Sequence, residues 1–93
     1  MQTRTLKLAI IVAAFATAGA AAAAPDCTSE PKSKWMSEAD MQKQIAKLGY
    51  KVKQFKVSGN CYEIYGWTKE GAKAEVYFNP VTGAIVKSEI EKL

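Results

Sequence analysis

The chain has 93 residues, of which 13 are Lys or Arg, 9 are Asp or Glu, none is His and two are Cys. That length holds one domain at most. Without His there is no Ser-His-Asp or Cys-His catalysis and no His-ligated metal, and two Cys cannot build an all-thiolate zinc site.

Residues 1–23 read as a secretory signal peptide. Arg4 and Lys7 form a basic start, Leu8 to Ala18 carry no charge, and Ala20 to Ala24 are small enough for signal peptidase. Pro25 would block a cut directly before it, which places cleavage after Ala23, with Ala22 the alternative. The rival reading is a retained anchor, but Leu8–Ala24 is only 17 residues and mostly Ala, marginal for a bilayer. Cys27 lacks a lipid-attachment context. We therefore expect a periplasmic or secreted protein with no stable membrane insertion. Losing Arg4 and Lys7 leaves 11 basic against 9 acidic residues, with no dense basic stripe, so nucleic acid is not an expected partner.

Residues 24–36 hold Pro25, Pro31 and scattered charges without a period, and read as an extended arm. Export lets Cys27 and Cys61 form a disulfide. Closing a loop of about 35 residues contributes roughly 4 kcal/mol in the chain-entropy model. A domain of about 70 residues has only a few kcal/mol from its core, so the bond is structural. No C-x-x-C motif or His is present to make it redox-active.

The domain proper spans 37–93. Ser37 with Asp40 three residues on resembles a capping box, Met36 and Met41 stand at the staple positions, and Met41, Ile45 and Leu48 share one helical face. Gly49 ends the helix. From Tyr50 the period becomes two. Strands are expected at Tyr50–Ser58, Cys61–Trp67, Ala72–Asn79 and Ala84 to about Ser88, with a bulge near Lys53–Gln54 because Val52 is out of phase with Phe55 and Val57. Pro80-Val81-Thr82-Gly83 suits a hairpin loop. The fold class is α+β, an N-terminal helix packed on an antiparallel sheet of three to four strands.

Alternation puts Tyr62, Ile64, Ala74, Val76 and Phe78 towards the helix. The opposite face then carries Glu63, Tyr65, Trp67, Lys73, Glu75 and Tyr77. Tyr65, Trp67 and Tyr77 among charges make it a candidate partner surface, unless cross-strand packing, the arm or the C-terminal tail covers it. Lys51, Lys53 and Lys56 are second candidates, although lysines on one strand commonly protect a sheet edge. Glu38 with Asp40 and Glu89 with Glu91 are not ligand sets. No metal, cofactor or catalytic residue is expected, and no phosphate-binding glycine loop is present.

Gly49-Tyr50-Lys51-Val52 after a short helix, Cys61-Tyr62-Glu63-Ile64-Tyr65, and Val76-Tyr77-Phe78-Asn79-Pro80-Val81-Thr82-Gly83 together resemble a PepSY domain across about Ser37 to Val86. Members often have Asp at the position of Asn79, which keeps a turn-capping acceptor. The resemblance implies an α+β module that binds or restrains peptidases in the cell envelope, and it carries over no catalytic residues. The leading expectation is thus an exported binding module that inhibits or modulates a peptidase. The alternative is an envelope interaction or structural protein unconnected with proteolysis.

Overall fold

The computed structural model describes residues 24–93. The expected signal peptide lies outside the described residues. Helix α1 (Glu38–Lys47) begins where its cap dictates: Ser37 is extended and its hydroxyl accepts from the Asp40 N–H at 3.1 Å. Glu38 and Asp40 in the first turn and Lys47 in the last complement the helix dipole. Met36, just before the cap, packs with the cluster that buries Met41 and Ile45, as a staple should. α1 precedes every strand but follows the arm and a 3-10 turn at Lys32–Lys34, so it is not the start of the described chain.

Leu48 departs from expectation. The last turn tightens, with the Leu48 N–H reaching the Ile45 carbonyl as well as that of Gln44, and the Gly49 N–H reaching Ala46. This turns Leu48 out to solvent. Tyr50, expected to open the first strand, instead lies before it and sets its ring edge-on to Phe78, centroids 6.5 Å apart.

Four antiparallel strands follow in meander order: β1 (Lys51–Ser58), β2 (Cys61–Trp67), β3 (Lys73–Phe78) and β4 (Ile85–Ile90). β4 runs two residues beyond the expected Ser88 because Ser88, Glu89 and Ile90 still find partners in Val76, Glu75 and Ala74. The β1–β2 register slips between Val52 and Gln54, leaving Lys53 as the bulged residue. Gly66 lies opposite Val52 at that slip, and a Cβ there would fall on the Lys51 carbonyl oxygen. The bulge therefore requires glycine.

In the β3–β4 loop, Asn79 Oδ1 accepts from the Val81 and Thr82 N–H groups at 2.8 and 3.3 Å, and Gly83 takes φ +81°. The core lies between α1 and one sheet face: Met41 and Ile45 against Tyr62, Ile64, Ala74, Val76 and Phe78, joined by Trp35, Met36, Tyr50 and Phe55. This is the face assignment expected from alternation.

Candidate binding surface

The opposite sheet face is built in cross-strand rows. Lys51, Trp67 and Lys73 form the first row; Gln54, Tyr65, Glu75 and Glu89 the second; Lys56, Glu63, Tyr77 and Lys87 the third; Ser58 and Cys61 the last. The Cys27–Cys61 disulfide, Cα atoms 5.2 Å apart, draws the arm across this last row. Asn60, in the two-residue turn between β1 and β2, holds the arm there. Its Oδ1 accepts from the Cys27 N–H at 2.8 Å, and its Nδ2 donates to Asp26 Oδ1 and the Thr28 carbonyl, both at 2.7 Å. Further on, the chain passes to the helix side, where Tyr62 donates to the Met36 carbonyl at 2.7 Å and Trp35 meets the Tyr62 ring edge-on. The arm is thus an integral part of the domain.

That path divides the outer face in two. Tyr77, expected on the partner surface, is only 5% exposed and packs with Cys27, Cys61 and Ala24. It is withdrawn as a surface anchor because the arm occupies the space above it. Tyr65 and Trp67, beyond the arm, are each 37% exposed. They border an open groove of about 500 Å³, walled by Lys53 on one side and by Glu89 and Glu91 on the other. The three candidate lysines lie on edge strand β1. Lys51 flanks Trp67, Lys53 enters the groove at the bulge, and Lys56 stands 5.5 Å from the centre of the Tyr65 ring. The structure therefore gathers Tyr65, Trp67, Lys51 and Lys53 at one end of the face, with Lys56 between them and the covered end.

Where the two halves meet, the structure holds a group that alternation does not disclose. Glu63 is 1% exposed, with Lys56 Nζ 3.9 Å from one carboxyl oxygen and no hydrogen-bond partner for the other. Burial, followed by the neighbouring Glu75 carboxylate, holds its pKa above the ordinary range. Glu75 is held below the ordinary range, first by Glu63, and accepts from the Tyr77 hydroxyl at 2.9 Å. The two carboxyls shift in opposite directions, and the buried Glu63 is the one that ionises less readily. Glu75 beside Tyr65, more than burial, pushes that phenol up to about 12. Burial does most to raise Tyr77, with Glu75 adding to it. The signal in the sequence was alternation itself, which puts Glu63 and Glu75 on one face of adjacent strands, but it does not show that Glu63 is buried.

Among the described residues, no cluster of three or more His, Cys, Asp or Glu is placed to hold a metal ion. No helix of the described residues is long and apolar enough to cross a membrane. What the surface offers chemically is a groove bordered by two aromatic rings and edged by lysine and glutamate side chains.

No curated protein and no solved structure matched the chain. The family model described as PepSY_2, peptidase propeptide and YPEB domain, matches residues 7–89, well over half the sequence and all of α1 and the first three strands. The chain belongs to this family of peptidase propeptide and YPEB domains.

Proposed function

We propose that this protein is an exported, non-catalytic binding module that restrains or modulates a peptidase in the cell envelope. Membership of a peptidase-propeptide family carries this reading. The groove beside Tyr65 and Trp67 supplies its contact surface, since partly exposed aromatics bounded by charge are favoured as interface anchors. Lys51 and Lys53 border the same end and steer an acidic partner region.

The test is a titration of the purified, oxidised chain into peptide-hydrolysis assays of the envelope fraction. Dose-dependent inhibition, reduced about tenfold or more in potency by Trp67→Ala with folding intact, is the expected result. Unchanged hydrolysis at saturating protein would leave the peptidase reading without support.

A further inference from the structure

The two open edges of the sheet are unlike. β1 carries Lys51, Lys53 and Lys56 with a bulge at Lys53, the usual defences against strand addition. β4 is exposed along its whole length, and its apolar residues Ile85, Val86 and Ile90 are 45%, 41% and 44% exposed. We propose that β4 pairs with β4 of a second copy of this chain, antiparallel about a two-fold axis at Ser88, joining two sheets edge to edge.

The backbone restricts the possible registers. The Glu91 N–H donates to the Lys73 carbonyl at 2.9 Å, directing that residue's backbone groups into the sheet. By the alternation of an antiparallel ladder, Glu89 and Lys87 are also turned inward, while Ser88 and Ile90 present their N–H and C=O groups to the open edge. An antiparallel copy must match outward groups with outward groups, so the axis must pass through a residue and not between two.

Side chains then decide among the remaining centres. An axis at Lys87 sets Lys87 against its own copy, and one at Glu89 does the same with two carboxylates. Both arrangements are repulsive. An axis at Ser88 sets Lys87 opposite the copy's Glu89, and Glu89 opposite the copy's Lys87, on the outer face. On the helix face the same register sets Val86 opposite the copy's Ile90, twice by symmetry. The strand Val86-Lys87-Ser88-Glu89-Ile90 is thus self-complementary in charge and apolarity. Lys87 and Glu89 now pair within one strand at 3.4 Å, both about half exposed, and can exchange that weak contact for cross-strand ones. The interface is isologous and closes at two copies. It is independent of the peptidase reading.

Sedimentation of the purified, oxidised chain across a concentration series tests this. A monomer–dimer equilibrium is expected. Ser88→Pro should abolish it, because the lost N–H faces the open edge and the bonds to β3 remain. Lys87→Glu should weaken dimerisation by about tenfold or more, since both charge pairs become repulsive. Adding Glu89→Lys to Lys87→Glu should restore it, because the swapped charges are again opposite. Circular dichroism monitors folding. If Ser88→Pro is unfolded, the charge reversal and its rescue decide the matter alone. A wild-type chain that stays monomeric to its solubility limit, or a dimer indifferent to Lys87→Glu, overturns the proposal.

Discussion

Glu63 is buried among sheet neighbours that include Lys56, Tyr65 and Glu75, with one carboxyl oxygen unpaired. Its raised pKa makes its ionisation costly to the folded state. Its contribution is most favourable below the ordinary value of 4.5 and is lost as pH rises through the folded value. Glu75 behaves oppositely: its lowered pKa contributes stability above 4.5, lost as pH falls through the folded value. Glu63→Gln removes the first effect and keeps an amide that can donate to Glu75, the neighbour whose lowered pKa depends first on Glu63. The variant should be more stable than the parent at pH 7–8 by about 1 kcal/mol, with the gap closing on acidification below the carboxylate range. Urea unfolding at several pH values checks this. Fully buried Phe78 provides a second comparison with half-exposed Trp67. Phe78→Ala should cost about 3–5 kcal/mol, and Trp67→Ala clearly less while weakening partner binding. Equal losses in thermal unfolding would show that Trp67 serves stability and not contact.

At the scale of elements, the β1 bulge and Gly66 form one device. The extra residue at Lys53 brings the Lys51 carbonyl so close to Gly66 that no side chain fits. The obstacle is backbone, which cannot swing aside as a rotamer does. Gly66→Ala should therefore cost about 2–3 kcal/mol despite the higher strand propensity of alanine, measurable as a lower urea midpoint. β1 also separates electrostatic from packing contributions to binding. Reversing Lys51 and Lys53 to Glu should lower the association rate and its salt dependence towards an acidic partner. Trp67→Ala should act chiefly on dissociation. Stopped-flow measurements at two ionic strengths would distinguish them.

For the whole molecule, the disulfide connects the arm to the β1–β2 hairpin across a separation of 34 residues. Cys27→Ser with Cys61→Ser should lose about 4 kcal/mol and lower the thermal midpoint by about 15 °C or more. The loss is large because the bond closes a long loop and secures the part of the arm that covers Tyr77. Released, the arm would expose Tyr77, and its phenol would titrate closer to the ordinary value of 10.0. Ultraviolet titration of reduced and oxidised protein reads that change. An unaltered midpoint on reduction would mean that the Asn60 contacts alone hold the arm. The signal peptide expected from the sequence makes its own prediction: if it is cleaved, the intact mass of the mature protein should correspond to a chain beginning at Ala24, or one residue earlier. Full-length chain in washed membranes would instead favour the anchor.

Local pattern alone disclosed the helix start at Ser37, the strand-by-strand alternation, the bulge at Lys53 and the Asn79-Pro80-Val81-Thr82-Gly83 turn. The helix start and the turn depend on residues within a few positions of one another, and the bulge showed as a local break in alternation although Gly66 on the facing strand is what admits it. The pairing of the only two cysteines was legible for a different reason, since no alternative partner exists. Period two could also say that Tyr65, Trp67 and Tyr77 share a face. It could not say which of them stays open, because that depends on the path of an arm far away in sequence. Only the tertiary structure buried Tyr77, brought Glu63 against Glu75, turned Leu48 outward and left β4 bare. Those outcomes depend on which surfaces meet, and burial is a property of the assembled chain that no local pattern contains.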